Sequence, residues 1–134
     1  MPFTQLEIDY LASQPLGRLA TAQPDGTLQN SPVGFRYNQE TGTIDIGGYN
    51  MAASRKFKNL STNERVAFVV DDIASTSPWR VRCLEIRGTA EALQPGDGRD
   101  APIIRVHPRR IISFGLENMD VDPHLLKPNR RDIA

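Results

Sequence analysis

After Pro15 the apolar residues of this chain stop recurring at helical spacing and begin to alternate one by one, in short runs cut by glycine and proline. Successive side chains on a strand point to opposite faces, so each such run has one apolar face that must be buried in a sheet. Joined by tight turns, runs this short pair antiparallel, since a parallel neighbour needs a long crossover. That single pattern points to a β-rich fold.

Before it, Thr4-Gln5-Leu6-Glu7 reads as a capping box and Phe3 and Ile8 sit at the staple positions. With Leu6, Tyr10 and Leu11 as an apolar stripe, the spacing predicts a helix over 4–13, ended by Pro15. Strands are then expected over 16–22, 27–37, 43–47, 65–72, 81–92 and 103–114, the last bent at Pro108. Pro24-Asp25-Gly26, Thr41-Gly42 and Pro95-Gly96-Asp97-Gly98 supply the turns. A second helix is expected over 52–61, with Ala53, Phe57 and Leu60 as its buried side. In the second strand Gln29, Ser31, Val33, Phe35 and Tyr37 share one face. Pro32 marks that strand as an edge, a bulge or a ligand border, because it has no amide to give to a ladder. Six antiparallel strands and two short helices predict a mainly β fold, a closed or nearly closed barrel, since closure removes exposed edges.

At 134 residues the chain has room for one domain. Its barrel is expected over 1–115, and the polar tail 116–134 either belongs to the same domain or forms an arm on a neighbour. Basic and acidic residues balance to a net charge of zero, which removes the electrostatic case for a nucleic-acid partner. The one cysteine, Cys83, fits a reducing compartment. No membrane span or basic-then-apolar leader is visible, so the expected location is cytoplasmic. His107, His124 and Cys83 have no metal-ligand spacing, and no nucleophile elbow or Gly-rich nucleotide loop occurs.

One segment carries chemistry. Gly47-Gly48-Tyr49-Asn50-Met51-Ala52-Ala53-Ser54-Arg55-Lys56-Phe57-Lys58 is a strand end, a glycine pair and a basic helix opening. Free amides at a helix start with Ser54, Arg55, Lys56 and Lys58 beside them would seat a phosphate. The competing reading is the solvated face of an amphipathic helix. Gln29-Asn30-Ser31-Pro32-Val33-Gly34 offers hydrogen-bonding groups for a flat polar ring, or is an ordinary edge strand.

In their order and spacing these runs resemble the pyridoxamine-phosphate-oxidase-like split-barrel superfamily. The matching runs are Gly17-Arg18-Leu19-Ala20-Thr21, the Pro-Asp-Gly turn, Ser31-Pro32-Val33, Ser54-Arg55-Lys56 and Glu85-Ile86-Arg87-Gly88-Thr89-Ala90-Glu91. The Glu85–Glu91 run and the run His107-Pro108-Arg109-Arg110-Ile111-Ile112-Ser113-Phe114-Gly115 look most like the actinobacterial branch that uses the deazaflavin coenzyme F420 in place of FMN.

The resemblance implies a six-stranded split barrel and a homodimer with cofactor sites between subunits. It implies phosphate contacts from Ser54, Arg55, Lys56 and Lys58. Ring and ribityl contacts would come from Ser31, Pro32, Val33, Gly47, Gly48 and Asn50. Trp79 and Arg80 would reach the other subunit's cofactor, although Trp79 also reads as an interface or core anchor. Arg109 and Arg110 read as a surface pair. The chain departs from true pyridoxamine-phosphate oxidases at Ser31, where they carry arginine, and lacks their arginine-rich C-terminal motif. Neither histidine sits where a haem ligand would. The implied activity is hydride transfer from reduced F420 to an unsaturated or quinone-like small molecule. Alternatives are an FMN-dependent oxidoreductase and a non-catalytic flavin-binding protein. Tyr49, beside the glycine pair, is the candidate proton donor.

Overall fold

The computed structural model describes residues 2–117 and 122–133. Helix α1 spans Gln5–Ser13. Its start is fixed as the sequence requires: the Thr4 hydroxyl accepts from the Glu7 amide at 3.2 Å, and the Glu7 carboxylate accepts from the Thr4 amide at 3.0 Å. Phe3 is buried and Ile8 packs on the core, closing the staple. The apolar stripe is corrected, however: Leu6 is exposed, and the residue buried in its place is Glu7.

The strands are β1 (Gly17–Ala22), β2 (Leu28–Val33), β3 (Arg36–Asn38), β4 (Thr43–Ile46), β5 (Arg65–Thr76), β6 (Trp79–Leu93), β7 (Ile103–Phe114) and β8 (Asn129–Asp132). They form one antiparallel sheet in the order β2-β1-β5-β6-β7-β4-β3, with β8 also on β7. The sheet therefore has eight strands, not the six expected, and β2 and β3 at its two ends do not pair. One of the extra strands arises because Gly34 and Phe35 split the run 27–37. The other, β8, lies in the tail and pairs Arg110–Ser113 of β7. With β2 and β3 only two residues apart, the sheet curls on itself, and Phe35 meets Phe68 edge-on at 5.2 Å.

The alternation builds the core row by row. Leu19, Phe68, Ile86 and Ile111 are register partners across β1, β5, β6 and β7, and none has exposed surface. Each such side chain contributes roughly 1.5–3 kcal/mol of burial. Pro108 does bend β7: Arg87 pairs Arg110 while Gly88 pairs Pro108, leaving Arg109 as a bulge. The bulge brings the β7 backbone so close to Gly88 that a Cβ there would lie 2.0 Å from the His107 carbonyl oxygen.

The second helix is shorter than expected. A 3-10 turn covers Met51–Ala53, Ser54 is extended, and α2 spans only Arg55–Asn59. Met51, Phe57 and Asn59 form its buried side with Leu60 half-buried, whereas Ala53 is exposed. Among the described residues no helix is long and apolar enough to cross a membrane.

Candidate functional site

Chain order alone places Gly47 through Lys58 together, from the end of β4 into α2. Asn50 takes the left-handed conformation at φ 52, which non-glycine residues adopt seldom and which often marks a functional turn. Gly47 and Gly48 are exposed, and Tyr49 is fully exposed, so nothing in its own chain fixes it as a proton donor. The Ser54 hydroxyl accepts from the Phe57 amide at 3.3 Å and donates to the Met51 carbonyl at 2.6 Å. Ser54 is therefore the N-cap of α2, a task that uses the group expected to meet a phosphate. Arg55, Lys56 and Lys58 enter no ion pair among the described residues. Three unpaired cations within four positions make the electropositive patch; a five-residue helix adds little dipole to it.

Strand β2 is an edge strand, as Pro32 requires. It is held to α2 by a side chain with no warning in the sequence. Asn59, with 1% of its surface exposed, donates to Thr21 Oγ1 at 3.0 Å and to Gln29 Oε1 at 3.3 Å. Ser31 lies two residues along on the same face of β2, and its hydroxyl is buried without a partner among the described residues. Pro32 is exposed, while the Val33 side chain belongs to the core and leaves only backbone for a ligand. The structure thus joins strand β2, where ring contacts were expected, to the basic helix through Asn59.

Trp79 and Arg80 stand apart. They open β6 at the tip of the β5–β6 hairpin, Trp79 58% exposed and Arg80 buried. Strand β5 begins at Arg65, soon after α2, and reaches that tip at Thr76, a run of at most roughly 37 Å at about 3.4 Å per residue. Trp79 and the basic helix thus lie toward opposite ends of β5. Arg110 makes a long contact with Asp132 at 3.8 Å and Arg109 is exposed, which matches a surface pair.

Sequence reasoning missed a buried carboxylate two residues before Gly47. Asp45 accepts from Arg105 Nε at 3.0 Å and Nη2 at 3.1 Å, from Asn38 Nδ2 at 2.9 Å and from Thr43 Oγ1 at 2.9 Å. Burial pushes its carboxyl up, but the hydrogen bonds from Arg105, Asn38 and Thr43 together hold it below the usual carboxylate range. No local signal marks it, because Arg105 is 60 residues away. Beside it, Gly34, Arg36, Gly47, Arg99 and Arg105 line a cavity of about 550 Å3. Lys58 borders another of about 570 Å3 with Phe57 and Leu60.

The chain is similar in sequence and in fold to known proteins. The chain is 50% identical over 122 residues to the 5a,11a-dehydrotetracycline/5a,11a-dehydrooxytetracycline reductase of Streptomyces rimosus, covering 87% of this chain and 86% of that one. A crystal structure of a conserved hypothetical protein from Mycobacterium tuberculosis shares the fold with a TM-score of 0.68 at 21% identity, over 90% of this chain and 92% of that one. So does the structure of an FAD-binding protein from Mycobacterium smegmatis, with a TM-score of 0.60 at 21% identity over 81% and 92%. The family model of pyridoxamine 5'-phosphate oxidase matches residues 6–120. This chain therefore belongs to the pyridoxamine 5'-phosphate oxidase family and is an oxidoreductase.

Proposed function

We infer that this oxidoreductase uses coenzyme F420 to reduce a conjugated carbon–carbon double bond in a polycyclic substrate of the dehydrotetracycline type. The observation that carries the cofactor class is the unpaired set Arg55, Lys56 and Lys58 beside the left-handed Asn50, joined through Asn59 to strand β2. A phosphorylated ligand with a flat ring fits that arrangement. The cations would take the phosphate through charge-assisted hydrogen bonds, and the exposed backbone of Gly47 and Gly48 leaves room beside the ribityl chain. Ser31 and Pro32 would border the ring. The substrate class comes from the Streptomyces rimosus reductase.

When bound, the cofactor supplies the hydride. The chain's own residues bind, orient and exclude water. Asn59 holds Gln29 and Thr21, and with them the β1–β2 edge, at a fixed distance from α2. Asp45 fixes Arg105 and the end of β4 from which the glycine pair departs.

A second copy of the chain would complete the site. Trp79 and Ile73 are exposed at the hairpin tip, at the far end of β5 from α2. On the outer sheet face Ala20, Ala67, Val69 and Ile112 are half-buried among their register partners Arg18, Glu85 and Arg87, a mixed surface that a second copy could cover. A homodimer in which each hairpin reaches the partner's cofactor accounts for both.

Parallel titration of the cofactor-free protein with F420 and FMN, followed by Trp79 fluorescence, tests the reading. Micromolar or tighter F420 binding with much weaker FMN binding is the expected outcome. Preference for FMN would make this a flavin enzyme of the same fold, and tight binding without turnover would make it a cofactor carrier.

A further inference from the structure

The cavity beside Asp45 has features that the protein's own packing does not explain. At about 550 Å3 it falls within the range of small-molecule sites. Two of its walls are Gly34 and Gly47, and a Cβ added at either would meet nothing within 4 Å. Neither has a positive φ, so no turn requires glycine there. What glycine gives at these positions is open backbone facing the space.

The arginines around the cavity are not equivalent. Arg105 is committed to Asp45 through two nitrogens, and Asp45 is saturated by Asn38 and Thr43. Arg36 only approaches Asp45 at 3.6 Å and its side chain is 70% exposed. Arg99 donates Nη2 to the Gln94 carbonyl at 3.2 Å, while its Nε, with almost no accessible surface, meets no partner among the described residues. A buried donor without an acceptor costs about 1–3 kcal/mol, more when the group is charged, and each one asks for a reason. Glu40 and Asp97 also border the cavity, yet neither forms an ion pair with Arg36 or Arg99 among the described residues.

We propose that this cavity is an anion subsite, in which Arg99 and Arg36 hold a planar carboxylate or ionised enol of a bound ligand. Guanidinium geometry favours such a group, because its parallel donors match two oxygens. Gly34 directly follows the Ser31–Val33 strand, and Gly47 opens the glycine pair. The subsite therefore adjoins the seat assigned above, and its assignment to a redox ligand rests on that reading, whereas the anion site itself does not. The anion belongs to the substrate or to an acidic end of the cofactor.

Benzoate is a suitable planar probe, with neutral benzamide as its control. In the 15N-labelled full chain, the arginine Nε–H resonances are recorded while each is titrated, and Arg99→Lys assigns the Arg99 signal. A saturable shift of the Arg99 Nε–H with benzoate, absent with benzamide and weakened at least fivefold by Arg36→Ala, is expected. No shift, or the same shift with benzamide, would overturn the subsite. Repeating the titration with F420 present separates the sources. If the anion is the substrate's, benzoate still binds; if it is the cofactor's, F420 alone moves the Arg99 signal and displaces benzoate. A chain that binds benzoate this way but neither F420 nor FMN would keep the subsite and lose the cofactor reading.

Discussion

At the scale of single residues, the basic opening of α2 divides into two roles. Ser54 caps the helix, so Ser54→Ala is expected to cost about 1 kcal/mol of stability, measured by urea denaturation, with a smaller effect on cofactor affinity. Arg55, Lys56 and Lys58 have no ion-pair partner to lose among the described residues. Replacing all three with alanine is expected to leave the melting temperature nearly unchanged and weaken F420 binding by several kcal/mol, each charged hydrogen bond being worth roughly 1.5–3. Unchanged affinity in a calorimetric titration would remove the phosphate seat from this helix. Gly88 supplies a purely structural counterpart. With a Cβ placed 2.0 Å from the His107 carbonyl oxygen, Gly88→Ala forces the β7 bulge to move. An overpacking cost of about 1–3 kcal/mol or more is expected in the same denaturation experiment. The cations and glycines were legible in the sequence because their chemistry is local. Glu7, Asp45 and Asn59 were not: each is a polar residue buried only because its partner arrives from 124, 60 or 38 residues away.

At the scale of elements, the least legible piece is β8. Asn-Arg-Arg-Asp has no apolar alternation, and its identity as a strand comes from the ladder to β7. Arg131 locks it in place. It donates to both Glu7 carboxylate oxygens, at 3.0 Å to Oε2, and to the Pro2 carbonyl at 2.7 Å. Burial pushes the Glu7 carboxyl up, but hydrogen bonds from Arg131, Ser113 and the Thr4 amide outweigh it and hold Glu7 below the usual carboxylate range. Asp72 is lowered by its hydrogen bond from Arg82, against opposing burial. Because the folded carboxylates titrate below their unfolded values, their stabilisation is full above the unfolded range, near pH 4, and is lost as pH falls further. Acid titration of the melting temperature is expected to show a steep loss below about pH 4, shallower in Glu7→Gln. Arg131→Ala leaves a buried carboxylate unpaired, with an expected cost of about 3 kcal/mol. Amide exchange at residues 129–132 should then speed up well ahead of β5 and β6.

At the scale of the whole molecule, the curled sheet was legible from alternation and turn chemistry, because period-two patterning fixes which face is buried. Strand number was less so, since Gly34 and Phe35 interrupt a run whose parity is unbroken: Val33, Phe35 and Tyr37 all still point inward or partly inward. The separation of Trp79 from α2 makes a shared site testable by mixing subunits. Trp79→Ala/Arg80→Ala chains and Arg55→Ala/Lys56→Ala/Lys58→Ala chains are each expected to bind F420 poorly. Their mixture should regain one intact site per mixed dimer, read as recovered binding capacity. No recovery after subunit exchange would place each site within a single chain.

The most direct measurement of the central claim is a single-turnover reaction. The protein is loaded anaerobically with reduced F420 and mixed with 5a,11a-dehydrotetracycline, and the absorbance of oxidised F420 is followed alongside product. Reappearance of oxidised F420 in equal amount to reduced product is the expected result. Product formation with reduced FMN, and none with reduced F420, would contradict it.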